Sequence, residues 1–97
     1  MAMRDATLAR TFGTDGGILG KLIDDFDWSA TSLGPIGRWP AAMRTTVELV
    51  LRSPAPIATL WGREGVMIYN DGYAAIAGSR HPAMLGEPVC DAWLEAA

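Results

Sequence analysis

Two short apolar runs separated by a four-residue turn set the strongest limit on what this chain can become. Ile57–Trp61 and Val66–Tyr69 flank Gly62-Arg63-Glu64-Gly65. Both runs carry β-branched or aromatic side chains and are too short for a helix, which predicts a β-hairpin. Asn70 and Asp71 follow at once. Either side chain can accept a backbone N–H and cap a helix, and Tyr73–Ala77 then reads as one short helix stopped by Gly78. Strand, turn, strand, cap and helix make one unit within Ser53–Gly78.

The flanking segments read as helices and a pinned connector. Ile18, Leu19, Leu22, Ile23 and Phe26 form one stripe at helical spacing, with Lys21, Asp24 and Asp25 off it, which predicts a helix over Ile18–Phe26. That stripe has two readings: packing inside its own domain, or a dimer contact through Leu19, Leu22, Ile23 and Phe26. Asp27–Gly37 is a connector whose Trp28, Leu33 and Ile36 are suited to fastening it to a core. Arg38-Trp39-Pro40 opens the next helix, since proline suits a first helical turn. Met43, Val47, Val50 and Leu51 form its apolar side, and Arg44, Glu48 and Arg52 its charged side. Ser53-Pro54 ends it, and Pro56 stands at the start of the first strand, where a missing N–H is tolerated. After the hairpin unit, Pro82–Leu85 makes one turn ended by Gly86. A last helical stretch is expected over Val89–Glu95, with Val89, Cys90, Trp93 and Leu94 inward. The expected organisation is a flexible terminus over residues 1–17, a helical segment over 18–53, and the hairpin with its short helices over 54–97.

A chain of 97 residues holds one domain at most. Its net charge of −3 and eight scattered basic residues give no footprint for nucleic acid. No apolar run approaches the ~20 residues that span a bilayer, and the first residues lack the apolar stretch of a secretory signal. One cysteine rules out an internal disulfide framework and a Cys-rich zinc site. These features fit a cytoplasmic protein without a membrane partner.

Candidate chemistry is sparse. Cys90 reads as a small buried side chain, and His81 as an exposed histidine in a polar turn. Asp24 and Asp25 are adjacent on a helix and diverge, while Asp27 reads as a helix-end cap. Ser29 and Thr31 have no histidine within a motif. Gly62-x-x-Gly65 lacks the Gly-Lys-Ser/Thr of a phosphate loop. The expectation is a non-enzyme with no catalytic residue, metal site or cofactor. The aromatics Trp61, Tyr69, Tyr73 and Trp93 read as core or pocket lining. A two-stranded hairpin is marginal in water and its edges invite another strand. The helices that follow are expected to cover one face but not to pair a backbone edge, which leaves three readings: a second copy supplies the structure by strand pairing or swapping, a different partner supplies it, or the hairpin stays small and the helices dominate. A homodimer is the favoured expectation.

Taken in order, four stretches carry a family resemblance: FDWSATSLGPIGRWP (Phe26–Pro40), AAMRTTVELVLRSP (Ala41–Pro54), IATLWGREGVMIYND (Ile57–Asp71) and GYAAIAGSRHPAMLGEP (Gly72–Pro88). Together they resemble the N-terminal part of a PAS domain of the type at the head of bacterial sensor histidine kinases, over roughly residues 18 to 97. The Asp27–Pro40 segment and the Tyr-Asn-Asp-x-Tyr pattern at Tyr69–Tyr73 are the specific parts. The resemblance implies an α+β, PAS-like fold, truncated to the first two strands and their helices, with the sheet completed by a second chain. It implies a sensory or regulatory module in two-component signal transduction, acting by dimerisation or contact with a histidine kinase or another PAS-containing partner. Two alternatives are a small-molecule-binding PAS sensor, for which Trp61, Tyr69, Asn70, Tyr73 and Trp93 would be lining, and an inert truncated fragment. The flavin-binding members carry a cysteine in a G-x-N-C-R-F-L-Q motif. Here Cys90 comes one place late and the Asn, Arg and Gln are missing, which argues against flavin. His81 in a polar turn argues against haem.

Overall fold

A computed structural model of the chain describes residues 12, 13 and 16–94, the side chains of residues 93 and 94 excepted. The flexible terminus expected over residues 1–17 therefore lies largely outside the described residues. So does the side chain of Trp93. The described chain is a small α+β fold. Helix α1 (Gly17–Asp25), helix α2 (Ala41–Arg52), strands β1 (Ala58–Trp61) and β2 (Val66–Tyr69), helix α3 (Asp71–Ala77) and helix α4 (Val89–Leu94) follow in that order. Short 3-10 turns lie at Trp28–Ala30, Ile36–Arg38 and Gly78–Arg80.

The hairpin forms where the two apolar runs predict it. Ala58 pairs with Tyr69, Thr59 with Ile68, Leu60 with Met67 and Trp61 with Val66, antiparallel. Gly62 and Gly65 both have positive φ, at 73° and 66°, which lets four residues reverse the chain without a Cβ clash. The Gly65 N–H donates to the Gly62 carbonyl at 3.3 Å and closes the turn.

Strand β2 is central, and this corrects one expectation. Residues 86–89 do pair with a backbone edge. The Gly86 N–H donates to Met67 C=O at 2.9 Å, Met67 N–H to Glu87 C=O at 3.0 Å, and Val89 N–H to Gly65 C=O at 2.8 Å. Val66 and Pro88 form an isolated antiparallel bridge. Gly86, at φ 82°, allows the reversal that brings this stretch alongside β2. All four residues of β2 are buried as a result, whereas β1 is only half-buried.

Met43, Val47, Val50 and Leu51 of helix α2 are all buried, as the spacing predicts, and Met43, Val47 and Leu51 share one core cluster with the four residues of β2. Pro40 does not enter its first turn. It stands just before the helix in extended backbone, with ψ 150°. Leu19 and Ile23 of α1 are buried in the same core, Leu22 and Phe26 pack against it half-buried, and Ile18 is exposed. The connector is fastened by aromatics. Trp28 and Trp39 are buried, with ring centres 5.2 Å apart edge to face. Phe26 lies 4.4 Å from Trp28, and Phe12 lies 6.1 Å from Trp39. Each indole N–H is satisfied, Trp28 by the Ile23 carbonyl at 2.7 Å and Trp39 by the Gly34 carbonyl at 2.8 Å. Buried aromatic surface with its polar handle paired is a strong fastening for a loop.

Cys90 is exposed, against the expectation of a small buried side chain. The pairing of 86–89 with β2 turns Val89 toward Gly65 and leaves the next side chain facing solvent.

Candidate functional site

The Tyr-Asn-Asp stretch at the end of β2 is the junction of the fold. Asn70 is 1% exposed, and its side chain bonds in several directions. Its Oδ1 accepts from the Tyr73 N–H at 3.0 Å, capping α3, and from the Ile57 N–H at 3.1 Å. Its Nδ2 donates to Val50 C=O at 2.9 Å and Ala55 C=O at 2.8 Å, with Ser53 C=O at 3.5 Å. The Val50 carbonyl also accepts the Ser53 N–H at 3.2 Å at the end of α2, and the buried Asn70 amide adds a second bond there and reaches the carbonyls of the Pro-rich link to β1. The cap on α3 was legible in the sequence; the bonds to α2 and the link were not.

Asp71 reaches the other way. Its carboxylate accepts from the Ile18 N–H at 3.1 Å and the Leu19 N–H at 2.8 Å. These are free donors in the first turn of α1, where a negative charge also meets the positive end of the helix dipole. Gly17 sits at φ 68°, and a Cβ there would lie 2.3 Å from the carboxylate, so only glycine admits this approach. Adjacent residues thus tie α1, α2, β1, β2 and α3 together.

Four of the five residues singled out as pocket lining have described side chains, and Trp61 stands apart from Tyr69 on the hairpin. Tyr69 and Asn70 are buried, and Trp61 and Tyr73 are half-buried. Tyr69 packs 5.4 Å from Tyr73. Trp61 lies opposite Val66, three residues from Tyr69 along β2, and so on the other face of the hairpin. Its indole N–H donates to Thr59 Oγ1 at 2.7 Å. An open groove of about 260 Å³ lies elsewhere, lined by Ser79, Arg80, Met84, Glu87 and Asp91 among others, and none of the four described candidates borders it.

His81 departs from the expected exposed position. It is half-buried, with Nδ1 2.8 Å from the Tyr69 hydroxyl and the rings edge to face at 5.6 Å. Burial, then the neighbouring Tyr73, pushes the Tyr69 hydroxyl pKa up to about 12, against a bond from the Leu85 backbone. The acidic residues near α1 bond to neighbouring turns, and Asp27 makes no side-chain cap bond, against the expectation of a helix-end cap. Asp24 accepts from the Phe12 N–H at 3.2 Å and the Gly13 N–H at 2.7 Å. Burial raises its pKa, while those two bonds oppose the rise. The Ser29 hydroxyl donates to Asp27. Among the described residues no group of three or more His, Cys, Asp or Glu is placed to hold a metal ion, and no helix is long and apolar enough to cross a membrane.

The remaining polar feature is the outer edge of β1. The Asn70 N–H donates to Ile57 C=O at 3.2 Å, which fixes the phase of the ladder. Residues of that parity, Thr59 and Trp61, face β2, so the backbone groups of Ala58 and Leu60 face away from it. Met67, opposite Leu60, agrees: its N–H and C=O are taken by residues 86 and 87 on the far side. No hydrogen bond to the outward groups of Ala58 and Leu60 occurs among the described residues. Leu60 is also 53% exposed. The sequence pointed to open hairpin edges in general; strand parity and the occupied far edge of β2 narrow this to two residues.

Comparison with known proteins found no match among protein-family models, curated proteins or solved structures.

Proposed function

We propose that this chain is a regulatory module that acts by protein–protein association, with the open edge of β1 as its contact. The observation that carries the reading is the pair of outward backbone groups at Ala58 and Leu60. They are unpaired among the described residues, on a sheet whose other edge is already taken by residues 86–89. An exposed strand edge is a template for a further strand.

The resemblance to the N-terminal part of a PAS domain supplies the context. It places the module in two-component signal transduction, in the cytoplasm, with a sensor histidine kinase or another PAS-containing protein as partner. The order of elements, with two antiparallel strands followed by an Asn-capped short helix, supports that reading. So does the role of the Tyr-Asn-Asp stretch as the junction of the fold.

The test uses the 97-residue chain and a PAS-containing sensor histidine kinase from the same genome. Kinase autophosphorylation is followed as the chain is added, either as wild type or as Leu60→Pro. The variant removes one outward N–H, and proline is tolerated at such an edge position. A rate change that grows with wild-type concentration and is absent with Leu60→Pro supports the reading. No binding and no rate change with either would overturn it.

A further inference from the structure

Resting on the association reading, we infer that the strand received by β1 is β1 of a second copy, running antiparallel with the two-fold axis at Thr59. The outward-facing positions along this edge are the even-numbered ones. Pro56 has no N–H to offer, and Gly62 already belongs to the turn, so Ala58 and Leu60 alone present a full pair of groups. A two-fold antiparallel arrangement can use all of them in one register, with Ala58 opposite Leu60 of the copy and Leu60 opposite its Ala58. That gives about four hydrogen bonds. Slipping the register by one pair brings in Pro56 or Gly62 and loses part of the set.

The side chains agree with this register. The exposed Leu60 meets the small Ala58 of the copy on one face, and Thr59 meets Thr59 on the other, a favourable cross-strand pair. No charged residue stands between Arg52 and Arg63, and Arg63 falls opposite Ala55 of the copy, so no like charges meet. The edge selects a neutral strand, and its own sequence is one. The paired length is far below that of a stable interface of roughly 1,200 Å² or more. The dimer is therefore reversible and concentration-dependent. Its sheet runs through both copies, from residues 86–89 of one, across both β2–β1 hairpins, to residues 86–89 of the other.

The test is disulfide trapping in a Cys90→Ser background, beside sedimentation of Leu60→Pro. Directly opposed residues of the non-hydrogen-bonded class have Cα atoms about 4.5 Å apart, within disulfide range. Thr59→Cys is therefore expected to give a cross-linked dimer at least tenfold faster than Ile57→Cys, whose copies lie four residues apart in this register. Leu60→Pro is expected to keep its cooperative melting transition and sediment as a monomer where the wild type associates. Equal trapping at both sites overturns the register while the association reading stands, whereas association that persists in Leu60→Pro overturns the β1 edge as the contact. A wild type that is monomeric at every concentration removes the self-pairing. If it also leaves the kinase unaffected, the association reading falls with it. A monomer with slowly exchanging Ala58 and Leu60 amides would mean that another segment of the same chain occupies the edge, which also overturns the inference. Should Thr59→Cys fail to fold, the Leu60→Pro comparison decides alone.

Discussion

The Asp71 carboxylate accepts the Leu19 backbone N–H at 2.8 Å across 52 residues of sequence. With the Ile18 N–H at 3.1 Å, this bond docks the start of α1 on the start of α3. Asp71→Ala leaves two first-turn donors without their partner. A lost helix cap of this kind costs about 1–2 kcal/mol. Hydrogen exchange should speed up at Ile18 and Leu19 first, with β2 still protected. Uniform loss of protection over the whole chain would show that α1 does not open separately.

Asn70 carries more. Asn70→Ala removes the donor bonds to the Val50, Ser53 and Ala55 carbonyls, and both acceptor bonds to Ile57 and Tyr73. Each buried group left without a partner costs about 1–3 kcal/mol, so the total is expected at roughly 3 kcal/mol or more. At about 4–8 °C per kcal/mol for a domain of this size, the melting temperature should fall by ~15 °C or more. Asn70→Asp keeps the acceptor but sets a carboxylate against the Val50 and Ala55 carbonyls, and is expected to be no milder. A near-neutral Asn70→Asp would show that the donor bonds contribute little.

Tyr69 gives a pH dependence with a definite sign. Its folded pKa of about 12 lies above the ordinary value of 10.0, mainly through burial. A raised pKa means that the folded state holds the proton more tightly, so between pH 10 and 12 it binds more protons than the unfolded chain. Stability is then complete below pH 10 and falls as pH rises through that window. In Tyr69→Phe the contribution of this group to the alkaline slope should vanish. The same variant leaves the half-buried His81 Nδ1 without the hydroxyl, at a cost of about 1 kcal/mol near neutral pH. An unchanged alkaline slope in denaturation curves would contradict this account of Tyr69.

Gly20 tests packing against propensity. Alanine in place of glycine inside a helix is ordinarily worth about 1 kcal/mol. Here a Cβ would lie 2.2 Å from the Phe12 carbonyl oxygen, a backbone atom that cannot swing aside. Gly20→Ala is therefore expected to destabilise, because the turn holding the buried Phe12 must move. A chemical denaturation midpoint equal to or above that of the wild type would show that this close approach carries no weight.

The parts legible in the sequence are those whose cause is local. The apolar side of α2 repeats at helical spacing, so Met43, Val47, Val50 and Leu51 could be named from spacing alone. The hairpin and the Asn70 cap on α3 rest on neighbours within a few residues, and both form as read. The rest depends on distant segments. Nothing near Glu87-Pro88 announces that residues 86–89 will lie along β2, yet this buries β2 and turns Cys90 outward. His81 reads as a turn residue until Tyr69 is seen 2.8 Å away. The bonds of Asp71 to Ile18 and Leu19 are equally long-range, and a cap is indistinguishable in sequence from a cap serving another helix. The open edge of β1 lies between these cases. The alternation of strand parity is local, but which edge stays open is decided by where residues 86–89 go.

Amide exchange at individual residues of β1, followed by NMR as the chain is concentrated, tests the central claim most directly. Thr59 and Trp61 face β2 and should exchange slowly at every concentration. Ala58 and Leu60 should exchange fast in dilute solution and slow down as concentration rises, with the change abolished in Leu60→Pro. Ala58 and Leu60 amides whose exchange does not depend on concentration, or slow with it equally in the variant, would contradict the assignment of this edge as the contact.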